Sequence, residues 1–362
     1  MIVHAPQEEK PLAVCLHIVQ SAHPKCTGIG KIIMGLARHT RPSRYQVAAL
    51  FFEDGPLRAE MESAGITTGV VTWKGGSKDI AGAWRAWNWI RRHNAQIVHV
   101  HHGGRAIRLL ARMAGASAVV QHVHGLVSEP DLSPISQHTF PGANAVIASS
   151  QAVADSLCKT HSEVIYAGVD TSAYPPMPPA QEGPIRIGVL SRLVPLKRIE
   201  AVIEAHASIA AMGIEIQTEI CGEGPSEPVL RGLVERLGVD EGVKFLGWRK
   251  DTATLLATWH LLAMPSLYEG FPIAVLEAMA AGRAVVASRV GGISELIDDG
   301  VSGMLIPAGD TDALVRSIRE LALDRPKLSQ MGYEGWKRAS TYFSNDRMAE
   351  HIIALYDRML TR

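Results

Sequence analysis

The sequence predicts an α/β protein built from two doubly wound domains that face each other across a cleft. Short apolar runs alternate with amphipathic stretches through the first half of the 362 residues. A stretch with five prolines in ten residues, PPMPPAQEGP at 175–184, then interrupts the pattern, and the same alternation restarts beyond it. Alternation of this kind reads as a parallel sheet covered by helices on both faces, and a proline-dense stretch favours an extended connector over helix or central strand.

In the first half, LAVCLHIV reads as a strand, TGIG as a glycine loop and KIIMGLARH as a helix. YQVAALFF, IVHVHH, AVVQHVHG and AVIASS supply further strands, with helices over WRAWNWIRRH and IRLLARMAG. After the connector come IRIGVLS, the helix RIEAVIEAHASIAAMG, IEIQTEI, a helix near 226–237, VKFLG, LLATW, LLAMPS and a helix near 311–323. The expected domains are 1–174 and 185–342, joined by 175–184, with 343–362 as a final helical segment.

Composition narrows the function. With 47% hydrophobic and 20% charged residues the chain buries substantial cores, which excludes a disordered protein. Formal charge is zero overall, +4 over 1–170 and −4 over 171–362, an asymmetry too mild for a nucleic-acid partner. Cys15, Cys26, Cys158 and Cys221 are scattered and form no CxxC pair, so reduced thiols in a cytoplasmic protein are expected. No apolar run reaches the roughly 18 to 20 residues a spanning helix needs, and the first residues lack the order of a signal peptide.

The most informative stretch is SLYEGFPIAVLEAMAAGRAVVASRVGG, residues 266–292. Pro272 suits a first helical turn and Gly282 the position just past the end, giving a helix over 272–281. Ile273, Leu276, Glu277 and Ala280 follow an i, i+3, i+4, i+7 stripe, so Glu277 points with the apolar side and needs partners there. Glu269 lies in the loop before this helix, whose N–H groups at Gly270, Phe271, Ile273 and Ala274 are placed to meet an anion. A phosphate-bearing ligand with hydroxyl groups satisfies both features. The alternative is a Glu277 bonded to buried backbone and a Glu269 that is a solvated loop acid.

A second constellation is GVLSRLVPLKRIEAVIEA at 188–205, where Arg192 and Lys197 follow a strand and flank Pro195 at a helix start. Cations oppose the macrodipole there, so either an anion such as a diphosphate completes the site or both are solvated loop residues. Gly28 and Gly30 permit close backbone approach to a ligand, although Gly35 comes next and G-x-G-x-x-G is absent. His99, His101, His102, His122 and His124 fall at strand ends; with no acidic ligand adjacent, no metal is expected, and donors to substrate or satisfied core histidines are the two readings. Arg105, Arg108 and Arg112 at i, i+3, i+7 form one basic helix face, either solvated or suited to a membrane surface.

Taken together these residues resemble the retaining glycosyltransferases of family 4, which have the GT-B fold of two Rossmann-like domains. The resemblance rests on Glu269 and Glu277 as an E-x7-E pair within SLYEGFPIAVLEAMAAGRAVVASRVGGISELIDDGVSGMLIPAGD. GVLSRLVPLKRIEAVIEA, CGEGP, VKFLGWRKD, EVIYAGVDTSAY, ANAVIASSQAVADSL and HVHG add to it. It implies that Arg192 and Lys197 hold a donor diphosphate, Glu277 bonds the ribose and Glu269 contacts the transferred sugar. It implies that His124 stands at the reaction centre and Gly28 near the donor phosphate, with Gly222, Gly224 and Gly247 bordering the base pocket. Ala167 and Thr27 depart from the family pattern, which often has asparagine and glycine there.

The implied activity is transfer of a hexosyl unit from a UDP- or GDP-linked sugar to a glycan or lipid-linked acceptor in polysaccharide or glycoconjugate assembly. It needs no cofactor and no metal, and the final helix would cross back to the first domain. A lipid-linked acceptor would bring the protein to the inner face of the membrane as a peripheral contact. A nucleotide-sugar epimerase and a catalytically dead nucleotide-sugar-binding module are the alternatives on the same fold.

Overall fold

The computed structural model describes residues 13–23, 27–40, 45–73, 79–125, 140–157, 160–174 and 182–361. Cys26, Cys158 and most of the proline-rich connector, 175–181, lie outside the described residues. The first sheet holds seven strands: β1 (Ala13–Ser21), β2 (Tyr45–Glu53), β3 (Thr67–Val70), β4 (Ala95–Val100), β5 (Ala118–Val123), β6 (Ala145–Ala148) and β7 (Glu163–Val164). Helices α1 (Thr27–His39), α2 (Pro56–Ser63), α3 (Ile80–Arg92), α4 (Arg105–Met113) and α5 (Gln151–Ser156) connect them.

The second sheet holds β8 (Ile185–Leu190), β9 (Ile216–Cys221), β10 (Val243–Gly247), β11 (Leu261–Met264), β12 (Ala284–Ser288) and β13 (Met304–Ile306). Its helices are α6 (Ile199–Ala211), α7 (Glu227–Leu237), α8 (Thr252–Thr258), α9 (Ile273–Ala280), α10 (Ile293–Leu296) and α11 (Thr311–Leu323), followed by α12 (Arg325–Tyr342) and α13 (Asn345–Leu360). Strand orders are β3-β2-β1-β4-β5-β6-β7 and β10-β9-β8-β11-β12-β13. Both follow the doubly wound 3-2-1-4-5-6 order, in which the winding reverses beside the first strand of each sheet. No helix among the described residues is long and apolar enough to cross a membrane.

Contacts group the chain into two compact units, one of residues 1–121, 140–145 and 353–362, the other of 122–139 and 146–352. In the first, Leu16 and Ile18 of β1, Leu50 and Phe52 of β2 and Val98 and Val100 of β4 pack under Ala86, Ile90, Ile107 and Ala111 of α3 and α4. In the second, Ile185, Ile187 and Val189 of β8 pack against Val202, Ile203 and Ile209 of α6 and Leu314, Ile318 and Leu321 of α11. The other face of β8 presents Gly188 to the ring of Trp259: a Cβ there would lie 1.8 Å from a ring carbon. The indole is held by Glu219, whose carboxylate accepts from its Nε1 at 2.8 Å.

Several sequence expectations shift. TGIG is the first turn of α1 and not a loop, and Gly30 is small because a Cβ would meet the Leu57 side chain of α2 at 2.5 Å. Pro272 caps α9 instead of entering it, and the helix ends at Ala280, one residue inside the expected 272–281 at each end. Arg108 is not on a solvent-facing basic stripe with Arg105 and Arg112. It is buried, donating to Gln121 Oε1 at 2.7 Å and to the Pro141 carbonyl at 3.1 Å.

The other face of β1 and β4 carries imidazoles. His17 and His99 are register partners on adjacent strands, and His101 lies just beyond β4 on the His99 side. All three are buried; the His99 and His101 rings stack with centroids 4.5 Å apart, and His17 Nδ1 lies 2.8 Å from His101 Nε2. Tyr356 of α13 bonds His99 Nδ1 at 2.6 Å through its phenol oxygen. Ring nitrogens of the three histidines all fall within 4.8 Å of one another, so His17 is the third member that spacing within IVHVHH did not reveal.

Burial holds His17 neutral, with its pKa pushed down to about 3, and pushes the neighbouring Cys15 thiol up to about 12. A histidine whose folded pKa is depressed leaves the unfolded chain holding more protons between about 3 and 6.5. Stability from this group is therefore complete above the unfolded value and falls with pH through that window, by about 1.4 kcal/mol per pH unit. Urea unfolding at pH 7, 6 and 5 should show a shallower acid loss for His17→Gln than for the parent; equal slopes would contradict the assignment. Gly188→Ala should lower the stability of the second unit by about 1–3 kcal/mol through overpacking against Trp259, read as a drop in the thermal midpoint.

Candidate functional site

In the second sheet the winding reverses between β8 and β11, so the loops leaving their carboxyl ends diverge and open a crevice of the kind where doubly wound sheets bind ligands. The loop after β8 runs through a 3-10 turn at Pro195–Lys197 and a left-handed Arg198, φ 52°, before α6 begins. Lys197 therefore precedes the helix and is not in it. The loop after β11 carries Ser266 and Glu269 and ends at Pro272. Leu267 N–H donates to the Leu196 carbonyl at 2.8 Å, tying the two loops by their backbones.

Side chains add a second tie at the same place. Lys197 Nζ donates to Glu269 Oε1 at 2.6 Å, and Ser266 Oγ donates to the same oxygen at 2.8 Å. Glu269 is only 7% exposed, so the reading as a solvated loop acid is overturned. The reading of Lys197 as a solvated cation falls with it. Arg192, by contrast, is exposed, and its guanidinium meets no acceptor among the described residues.

Glu277, 3% exposed, sits on the buried side of α9 as its periodicity required. Its carboxylate accepts a hydrogen bond from the Tyr174 phenol, 103 residues away in sequence. Tyr174 follows a one-turn 3-10 helix, Thr171–Ala173, capped by Asp170. Burial, and then the adjacent Glu277 carboxylate, push the phenol pKa well up, so the proton stays on tyrosine.

At the start of α9 the N–H groups of Gly270, Phe271, Ile273 and Ala274 meet no acceptor among the described residues. Gly270 is fixed by crowding: a Cβ there would lie 1.9 Å from the His124 carbonyl oxygen. The Gly270 carbonyl accepts from Ser150 Oγ at 2.9 Å and from Gly292 N at 3.0 Å. His124 is half-buried and stacks on His122 at 4.1 Å between centroids. Phe271 packs on Tyr166 and Phe343, 5.4 and 5.8 Å away.

Three other glycines lie among loops at the carboxyl ends of β8, β9 and β10. A Cβ on Gly222, φ 146°, would come within 1.8 Å of the Ser191 carbonyl, and one on Gly224 within 2.3 Å of that of Leu193. Gly247, φ 65°, accepts from Gly222 N at 2.8 Å. Close backbone packing thus accounts for Gly222 and Gly224, next to the loop that holds Arg192. Gly28 and Gly30 belong to the first unit, in the opening turn of α1. Sequence reasoning missed Tyr174, Ser266, Ser150 and His17; Tyr174 and Ser150 bond motif residues more than 100 positions away and leave no local pattern, whereas Ser266 bonds Glu269 three residues on in the same loop.

A profile of glycosyl transferases group 1 matches residues 171–338, and one of Glycosyltransferase Family 4 matches 27–173. The chain is 33% identical over 209 residues to an MMP alpha-(1->4)-mannosyltransferase of Mycolicibacterium hassiacum, covering 55% of this chain and 49% of that protein. It is 25% identical over 293 residues to an N-acetyl-alpha-D-glucosaminyl L-malate synthase of Bacillus anthracis, covering 74% and 75%. The chain thus spans about half the length of the first of these relatives. Among solved structures it resembles Anabaena HepE in complex with UDP and glucose, with TM-score 0.82, 23% identity and coverage of 96% of this chain and 100% of that one. The lipopolysaccharide outer core galactosyltransferase WaaB, in its apo form, aligns with TM-score 0.72 and 17% identity over 96% of this chain and all of the other. On these matches, with the two 3-2-1-4-5-6 sheets, the chain belongs to the family 4 glycosyltransferases of the GT-B fold.

Proposed function

We propose that the protein transfers a hexosyl unit from a nucleotide sugar to a glycan or lipid-linked acceptor with retention of anomeric configuration, in polysaccharide or glycoconjugate assembly. The observation that carries the reading is the Lys197–Glu269–Ser266 cluster at the β8/β11 crevice, together with the start of α9, whose N–H groups meet no acceptor among the described residues, and Arg192, whose guanidinium meets none there either. A nucleoside diphosphate presents the anion that Arg192 and these N–H groups lack. A UDP-linked donor is favoured, since the similar HepE structures were obtained with UDP, UDP and glucose, and UDP-glucose.

In this reading Arg192 and Lys197 stabilise the charge that develops on the leaving diphosphate, together with the N–H groups of Gly270, Phe271, Ile273 and Ala274. Glu277 accepts from the ribose and Glu269 positions the transferred sugar, with His124 at the reaction centre. Gly222, Gly224 and Gly247 border the base. Glu269 is not assigned as nucleophile, because Lys197 and Ser266 already engage one of its oxygens and hold the carboxylate in place.

Glu277→Ala should weaken donor affinity strongly, measured by calorimetry with UDP-sugars; unchanged affinity sinks the ribose role. Arg192→Ala and Lys197→Ala should each lower kcat by about 10²–10³, the range for losing one charge-stabilising group, and near-normal turnover would refute the assignment. Tyr174→Phe should lower the Tm of the unliganded protein, because a buried carboxylate loses a donor. The deficit should shrink when a UDP-sugar is added, since bound ligand stabilises the native state and its hydroxyls replace the phenol.

A further inference from the structure

Four large apolar side chains of the first unit are exposed among the described residues, and all four lie on α3 and α4: Ile80 (76%), Trp84 (59%), Leu109 and Met113 (71%). The two helices pack side by side. On α3, Gly82, Ala86 and Ile90 turn inward, leaving Ile80, Trp84, Trp87 and Arg91 as an outward stripe at i, i+4, i+7, i+11. Arg91 lies over the Trp87 ring, 5.3 Å from its centroid. On α4, Ile107, Arg108 and Ala111 turn inward, and Arg105, Leu109, Arg112 and Met113 face outward.

Neither helix contains an Asp or Glu. Arg85, Arg91, Arg92, Arg105 and Arg112 are exposed, and none of them forms an ion pair with a carboxylate among the described residues. The withdrawal of Arg108 to Gln121 leaves the outer face of α4 with alternating guanidinium and apolar groups in place of a continuous basic stripe. A merely solvated face has no reason to hold Ile80, Trp84 and Met113 in water, and a typical protein partner surface would balance five like charges with acids. Tryptophan beside arginine suits the boundary between headgroups and acyl chains, where indole is amphipathic and guanidinium pairs bidentately with phosphate.

We propose that the outer faces of α3 and α4 form a docking surface for an anionic lipid bilayer, with Trp84, Ile80 and Met113 entering the interface and the five arginines on headgroup phosphates. The surface lies wholly in the first unit and does not rest on the glycosyl-transfer reading. The test is co-sedimentation of the full chain with vesicles of phosphatidylcholine alone or with phosphatidylglycerol, at low and high salt. Binding should need phosphatidylglycerol and fall with salt, and Trp84→Ala with Ile80→Ser should reduce it at least about tenfold. Arg91→Gln with Arg92→Gln should reduce partitioning about thirtyfold, roughly fivefold for each charge removed. Unchanged thermal midpoints and unchanged UDP-sugar affinity of these variants show that they are folded and that the donor site is separate. Binding indifferent to phosphatidylglycerol, wild-type binding by the variants, or a dimer in sedimentation velocity that the same substitutions abolish would overturn the proposal.

Discussion

The ion pair between Lys197 and Glu269 fixes the geometry of the second unit at the carboxyl ends of β8 and β11. It joins the loops that leave β8 and β11 on either side of the winding reversal, where their strands carry them apart, and the Leu267–Leu196 backbone bond closes the same junction. A pair this far out of water holds only because each charge is matched; deletion of one partner strands the other. Ser266 supplies a further donor to the carboxylate, and the left-handed Arg198 turns the chain from the lysine into α6. The positions of α6 and α9 relative to one crevice follow from these few bonds.

A second set of contacts extends that order away from the strands. Phe271, in the loop between Glu269 and α9, packs with Tyr166 and Phe343, and Val169 N–H donates to the Phe343 carbonyl while its own carbonyl accepts from Asn345 N–H. Tyr174, a few residues on, reaches Glu277. Segment 165–174 and the junction of α12 and α13 are thereby tied to both ends of α9's approach loop and first turns. Gly168 admits this packing, since a Cβ there would lie 2.6 Å from Asn345 Cα.

Periodicity was enough to bury Glu277, because an eight-residue helix with a wide apolar face leaves one acid on the wrong side. It did not name Tyr174, since nothing local links positions 174 and 277. The loop acid Glu269 was ambiguous for the same reason: Ser266 lies three residues before it, but Lys197, 72 positions away, is brought to it only by the fold. TGIG misled because glycine pairs read as loops, whereas Gly30 yields its volume to Leu57 inside a helix. Arg108 misled because helical spacing ignores a neighbour such as Gln121 that can satisfy a buried guanidinium. Helix α12 went unread: its 18 residues include two buried glycines, Gly332 and Gly335, and its apolar positions are sparse.

The grouping of residues 353–362 with the first unit has a consequence for how the chain acquires its structure during synthesis. Tyr356 bonds His99 and stacks edge-on against Tyr45, and Tyr45 also donates to Asp357 at 2.5 Å. These partners are separated by more than 250 positions, so the imidazole cluster of the first sheet waits for α13 to be made before its bond to Tyr356 closes. A ribosome-bound intermediate holding every strand of that sheet still has an unfinished, hydratable histidine face. Final burial of the first unit is a late, long-range event, although its strands emerge first.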